Sequence, residues 1–244
     1  MLCSNDGGRL RESIESLAAL SKFVDFEIIV TDNMSRDGSR EILKGLLKDG
    51  VIQEVIEQKC TRGKGRQLAL EKARGEYVLC HLDCDDTFSA IGINSLIRLY
   101  HEKYEGMMMM TRRTEGGHSN ITIAPRRLIL ALGGWRDINW NEDWDLWARA
   151  GAEHKYANVP YPYSDPPHTV VTIRQDRDDN LVKRIWARYG KYRDCYRIGR
   201  SPFTGDRHVS ATQSMISWVA KTVVSIRQQK LTAVTNPEFK DSSG

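Results

Sequence analysis

Residues 77–86 read Tyr77-Val78-Leu79-Cys80-His81-Leu82-Asp83-Cys84-Asp85-Asp86, a mostly apolar run that ends on three carboxylates. A short apolar run bounded by a polar cluster has the pattern of a buried strand. Before it, Gly65 to Ala73 reads as a helix with Leu68, Leu70 and Ala73 inward, and Gly75 is the stop. After it, residues 89–103 are again helical in pattern. The alternation repeats toward the N-terminus. Leu10, Ile14, Leu17 and Leu20 form a helical stripe within residues 8–22, and Phe26 to Thr31 reads as a strand. Asp37-Gly38-Ser39 opens a helix carrying Ile42, Leu43, Leu46 and Leu47, closed by Gly50. Val51 to Ile56 is strand-like. Helix alternating with strand over a hundred residues predicts an α/β fold, a mostly parallel sheet flanked by helices.

Beyond residue 105 the pattern is less regular. Met107 to Thr111, Asn120 to Ala124, Tyr156 to Val159 and Thr169 to Ile173 read as strands; Pro125 to Leu132 and Asn141 to Ala150 read as helices. Two basic helices are expected at 179–199 and 208–229. This divides the chain into a body over residues 1–175, a basic helical extension over 176–230 and a flexible tail over 231–244. With 244 residues, 40% hydrophobic and 28% charged, the composition is that of an ordinary globular chain. No window approaches the apolar length of a membrane span, and no basic stretch followed by an apolar run marks a secretory leader. The five cysteines are odd in number and form no CxxC pair, so reduced thiols and a cytoplasmic setting are expected.

In α/β sheets ligands bind beyond the carboxyl ends of the strands. Two acidic clusters fall there, at Asp32 and at Asp83 to Asp86. Alternate carboxylates at a strand end can hold one hard divalent cation; a solvated turn capping the next helix is the other reading. Asp32 suits a nucleobase N–H or a turn equally. Thr61-Arg62-Gly63-Lys64-Gly65-Arg66 is a basic helix start whose N–H groups and cations could receive phosphate, or a plain surface loop. Its spacing is not that of a Walker loop. Asn141-Glu142-Asp143-Trp144-Asp145 opens a helix with three acids; Asp143 and Asp145 cannot share a face, so some serve a site and others cap or pair. Trp135, Trp140, Trp144 and Trp147 offer stacking faces for sugar, or core packing. No two histidines have metal-ligand spacing, and among them His168, just before a late strand, is the one to watch, with a structural role favoured.

The order of these blocks carries more than any one alone. Val30-Thr31-Asp32-Asn33-Met34-Ser35-Arg36-Asp37-Gly38-Ser39 resembles the V-D-D-x-S-x-D-G-T block of family 2 glycosyltransferases with the GT-A fold. Arg62 to Leu70 with Ala73 to Val78 is similar to the family's G-x-x-x-A-R-N-x-G-x-x-x-A-x-G-E-Y-I stretch. Leu82-Asp83-Cys84-Asp85-Asp86 is similar to its L-D-x-D-D motif. Gly133-Gly134-Trp135-Arg136-Asp137 and Glu142-Asp143-Trp144-Asp145-Leu146-Trp147-Ala148-Arg149 resemble its G-G-F-D-E and E-D-x-D-L-x-x-R blocks. The resemblance covers about residues 2–175. It implies inverting transfer of a sugar from a nucleotide donor to a glycan or lipid-linked acceptor, helped by Mn²⁺ or Mg²⁺. By it Asp32, Arg62, Arg66 and Asp83 contact the nucleotide-sugar, Asp85 with Asp83 holds the metal, Asp143 is the general base and Glu142 supports it. Trp135 and Trp144 are the acceptor candidates. There are departures: the first strand is shortened to Met1–Asp6, so that the true start is expected upstream. Asn33 and Gln67 replace an Asp and an Asn of the family. Asp176 stands where the family's late histidine falls, so no histidine ligand is assigned.

The total charge is +4, yet residues 181–230 hold eleven Lys/Arg and two Asp/Glu. Basic faces interleaved with Trp and Tyr suit a helix lying on an anionic membrane, and equally two helices packed on the body with solvated basic faces. Two other classes compete. A nucleotidyltransferase needs its glycine-rich loop directly after the first strand, where Ser4 to Gly8 is too short. A nucleic-acid or anionic-surface binding protein leaves the ordered acids unexplained, which makes nucleic acid a poor partner.

Overall fold

A computed structural model describes residues 1–84, 86–113, 121–161, 170–172, 181–203 and 209–227. Its N-terminal half is a three-stranded parallel sheet in the order β1–β2–β3, with β1 at Leu2–Cys3, β2 at Ile29–Asp32 and β3 at Glu54–Glu57. All four residues of β2 are buried, which a strand covered on both faces requires. Helix α1 (Leu10–Ala18) buries Leu10, Ile14 and Leu17, and a 3-10 turn follows at Ala19–Lys22. Helix α2 (Ser39–Lys48) starts after Gly38, whose φ of 90° an L side chain rarely adopts, and buries Leu43 and Leu46. Helix α3 (Arg62–Lys72) leads to β4 (Tyr77–Cys80).

The second half adds antiparallel pairs. The order is β4–β7–β6–β8, with β6 at Met108–Arg113, β7 at Thr122–Pro125 and β8 at Tyr156–Tyr161. β7 runs antiparallel to both neighbours, while β6 and β8 are parallel. A parallel bridge from Leu2 to Asp83 joins the two sheets. Helix α4 (Ala90–Lys103) is capped by Ser89, whose hydroxyl accepts the Gly92 N–H, and buries Ile93, Leu96 and Tyr100. Short α5 (Arg126–Ala131) and α6 (Glu142–Ala152) cover the second sheet around Leu70, Met108, Ile129 and Leu146.

The expected elements are present, with one addition. Asp86, expected as part of an acidic cluster that holds a cation or caps the next helix, falls with Thr87 and Phe88 in strand β5 (Asp86–Phe88), antiparallel to β9 (Val170–Thr172). The basic extension forms α7 (Leu181–Arg197) and α8 (Ala211–Ile226), packed on each other through Tyr192, Ile216 and Ala220. Ser210 and Gln213 close a reciprocal capping box at the start of α8. The five cysteines are free thiols.

Candidate active site

The first turn of α3 sets the geometry. Thr61 caps it, its hydroxyl accepting the Lys64 N–H at 3.1 Å. The Arg62 N–H donates to Asn139 Oδ1 at 3.0 Å, the Gly63 N–H to the Ile138 carbonyl at 2.9 Å and the Gly65 N–H to the Thr61 carbonyl at 2.9 Å. The reading of this stretch as a backbone phosphate cradle is therefore corrected: these donors are all engaged within the protein. The glycines serve close packing. A Cβ on Gly63 would overlap the Arg136 carbonyl oxygen, and one on Gly65 would lie 3.2 Å from Cys60 Sγ. Helix α3 is thus held against residues 136–139, the lead-in to α6, and against β1.

One turn further, Arg66 projects into a ring of acids. Its guanidinium is 3.2 Å from Asp83 beyond β4, 3.2 Å from Asp143 on α6, and in closest contact with Glu142 on α6. Burial opposes a charge on Arg66, but Asp143, Asp83 and Glu142 together hold it firmly protonated. Burial also opposes ionisation of Asp143. Arg66 first, then His81, overcome this and hold that carboxyl well below the usual range. Glu142 goes the other way: burial, then the adjacent Asp143 charge, push it up to about 7. Only one of the two acids reaches solvent, since Asp143 is 29% exposed and Glu142 4%.

His81 is the residue that sequence reasoning missed. It follows β4 with φ of 64°, and its Nε2 is 2.9 Å from Asp143 Oδ1. The two atoms are at ion-pair distance without hydrogen-bond alignment. Nδ1 is 2.8 Å from the Thr122 hydroxyl, and the ring meets Trp147 and Trp135 edge-on at 5.2 and 6.1 Å. The available signal was its position, two residues before Asp83 at the end of a strand.

Asp32 ends β2 but is fully buried, and both of its oxygens accept from Ser35, from the hydroxyl at 2.5 Å and the N–H at 3.0 Å. It holds its own turn, with both carboxylate oxygens engaged by Ser35. Arg62 lies over the Trp140 ring at 5.4 Å. Trp135 is buried beside His81, with little of its ring exposed. Trp144 is half-buried with the Arg200 guanidinium 4.0 Å above its ring. Asp145 is fully buried between Arg136 and Arg149 and belongs to the core. Asp85, His168, Asp176 and the tail from 228 lie outside the described residues.

Helix α7 reaches this region too. Asp194, fully buried, accepts the Asn139 and Trp140 N–H groups at 3.0 and 3.3 Å and pairs with Arg193. Asn141, in the left-handed region at φ 61°, donates to Cys195 Sγ at 3.2 Å and accepts from Arg200 at 3.3 Å. The segment entering α6 is therefore gripped by α3 on one side and α7 on the other.

For a divalent cation, Asp83 offers an exposed carboxylate at the strand end, an oxygen donor that suits a hard ion. The donors clustered most tightly among the described residues, Cys3, Asp6 and Cys84, lie within 4.8 Å of one another but include two buried thiols, a softer set that suits Mg²⁺ or Mn²⁺ poorly.

A family model described as "Glycosyl transferase family 2" matches residues 1–150. Solved structures share the fold. A mannosyltransferase of Pyrobaculum calidifontis, solved with GDP-Man and Mn²⁺, has 16% identity over 92% of this chain and 73% of its own, with a TM-score of 0.57. TarS of S. aureus (residues 1–349) has 18% identity over 65% of this chain and a TM-score of 0.53. The match spans 56% of that TarS chain, so this chain answers to little more than half of it. Glucosyl-3-phosphoglycerate synthase of Mycobacterium tuberculosis, solved with Mn²⁺, UDP and phosphoglyceric acid, has 14% identity over 71% of this chain and 69% of its own, with a TM-score of 0.53. No curated protein matches significantly.

Proposed function

Because the chain belongs to glycosyl transferase family 2, we propose that it transfers a hexose from a nucleoside-diphosphate donor to an acceptor hydroxyl with inversion, with Asp143 as the general base. The observation that carries this reading is the convergence of Asp83, Glu142 and Asp143 on Arg66, with His81 on Asp143. Inverting displacement needs a base on the acceptor side and charge stabilisation on the leaving diphosphate. Asp143 is ionised and reaches solvent, so it can take the acceptor proton; Arg66 and His81 both lie against its buried Oδ1, which leaves Oδ2 for the acceptor. Its low basicity follows chiefly from Arg66. A diphosphate that draws the guanidinium toward itself raises the basicity of Asp143 as the donor arrives, which couples proton abstraction to donor binding. Glu142, buried against Arg66, acts as a support.

A divalent cation, Mn²⁺ or Mg²⁺, would be held by Asp83 with Asp85, and when bound it neutralises charge on the leaving diphosphate. The neighbours solved with Mn²⁺ and with UDP or GDP-Man support the metal and the donor class. Arg62, carried by the same helix as Arg66, adds positive charge toward the diphosphate. The acceptor is a glycan or a lipid-linked hydroxyl. The test is nucleotide release from UDP-, GDP- and dTDP-sugars with Mn²⁺, with and without EDTA, for the wild type and Asp143→Asn. Metal-dependent release from one donor, falling about 10²–10⁴-fold in Asp143→Asn, is expected for loss of a general base. Release that Asp143→Asn leaves unchanged removes the base assignment, and no release from any donor removes the transferase reading.

A further inference from the structure

The helical hairpin α7–α8 carries bulky apolar groups that nothing described in the fold covers. On α7, Leu181, Val182, Ile185 and Trp186 are exposed, Trp186 to 66%. At 100° per residue these four fall within one arc of about 140°. On α8, Met215, Trp218, Val219 and Ile226 are exposed, Trp218 to 68%, within an arc of about 100°. Ile216, Ala220 and Val224 are buried on a separate arc of the same helix. On α8 the exposed residues thus form a second apolar stripe beyond the one used for packing, and on α7 they continue, toward the N-terminus, the arc that carries the packing residues Tyr189, Tyr192 and Tyr196. Scattered surface hydrophobes need no explanation, but two stripes that include two tryptophans do.

Charge identifies the occupant. Residues 181–203 and 209–227 contain nine Lys/Arg and a single acid, Asp194. Asp194 is fully buried, so these segments present no exposed carboxylate. Arg184, Arg188 and Lys191 flank the α7 stripe, and Lys221 lies on α8, all of them exposed. Apolar stripes bearing Trp and bordered by cations complement an anionic lipid surface: the rings enter the headgroup level and the cations meet the phosphates. No described helix is long and apolar enough to cross a membrane. Helices of 17 and 16 residues lie along such a surface.

We infer that the α7–α8 hairpin docks the protein on an anionic lipid surface through Trp186 and Trp218. The same hairpin grips the segment entering α6 through Asp194 and Arg200, so docking places Asp143 near the lipid. If the glycosyltransferase reading holds, on which this last step rests, the acceptor is lipid-linked. The experiment is co-sedimentation of the full chain with phosphatidylcholine vesicles with and without phosphatidylglycerol. It is run alongside Trp fluorescence and nucleotide release on the same preparation. Expected are binding that requires phosphatidylglycerol, a blue shift of Trp emission, and release of the protein by high salt. Trp186→Ser/Trp218→Ser and Arg184→Glu/Arg188→Glu should each weaken binding about tenfold or more. Both variants change exposed side chains, so their Tm and nucleotide release should match the wild type. Absence of wild-type binding overturns the inference, as does binding indifferent to both variants. So does a dimer, seen by sedimentation equilibrium, that the Trp variant dissolves, because the stripes then serve a second copy. Vesicle binding without nucleotide release leaves the docking standing and removes the transferase reading; nucleotide release without vesicle binding does the reverse.

Discussion

At the scale of single residues, the site depends on how three acids share one arginine. Arg66 cannot satisfy Asp83, Glu142 and Asp143 equally, and the most deeply buried acid, Glu142, is the one pushed up, to about 7 from the ordinary 4.5. The sign of the linkage follows. Between pH 4.5 and 7 the folded protein holds a proton on Glu142 that the unfolded chain releases, so this group's stabilising contribution is full below 4.5 and is lost as pH rises through 7. Glu142→Gln should flatten that part of the Tm–pH curve. It should also remove a rise in donor KM above pH 7, where ionised Glu142 repels a diphosphate; a variant with the wild-type slope would show that Glu142 does not titrate there. His81 makes a different prediction. It contacts Asp143, so if it acts through that carboxylate, His81→Ala should lower kcat about tenfold with donor KM little changed, since orientation and not binding is lost. His81→Gln, which keeps a donor, should recover part of it. A rise in KM with unchanged kcat would place His81 in the binding surface instead.

At the scale of elements, the local periodicities are enough to mark the helices and most strands, because each buries one face at its own repeat. Leu10, Ile14 and Leu17 on α1 are the core positions the pattern predicts, and the helix expected over 89–103 forms as α4 with Ile93, Leu96 and Tyr100 buried. Strand β5 is invisible to that logic: Asp86–Phe88 becomes a strand because β9, more than eighty residues later, pairs with it. The glycine stretch misleads for a related reason. Gly63 and Gly65 look like an anion loop until the partners of their N–H groups, Ile138 and Thr61, are known. The acids of the site are legible from family order, whereas their convergence on Arg66 and the grip of α7 on residues 139–141 depend on tertiary contacts. That grip is testable. Asp194→Ala leaves two backbone N–H groups and nearby arginines without their shared acceptor, a loss of roughly 3–5 kcal/mol for a broken buried pair. The variant should therefore unfold at markedly lower temperature. Below its transition it should also lose nucleotide release, since the start of α6 is freed. A stable, fully active Asp194→Ala would show that α7 is an appendage.

At the scale of the whole molecule, the site sits where two sheets that share one hydrophobic core, from Cys3, Leu10 and Val30 to Leu96, Met109 and Ile123, meet at their strand ends. The parallel sheet β1–β2–β3 and the mixed sheet β4–β7–β6–β8 are bridged between Leu2 and Asp83, and Arg66 spans from α3 to Asp83 and to α6. A donor bound there bridges both halves, so its binding energy appears as global stability. A nucleoside diphosphate with Mn²⁺ at about 100 times its Kd should add roughly 2.7 kcal/mol. For a chain of this size that is a rise in Tm of about 5–10 °C. The shift should occur in one cooperative transition, should appear with only one nucleobase, and should vanish with EDTA. Arg66→Ala tests the coupling. It removes the shared counter-charge, so the variant should start from a lower Tm, as three acids repel one another across the junction. It should gain little from nucleotide and metal together, because the diphosphate loses its fixed cation. If Arg66→Ala retained the full ligand-induced shift, the diphosphate would be held elsewhere, and Arg62 and the 33–38 turn would become the first places to look.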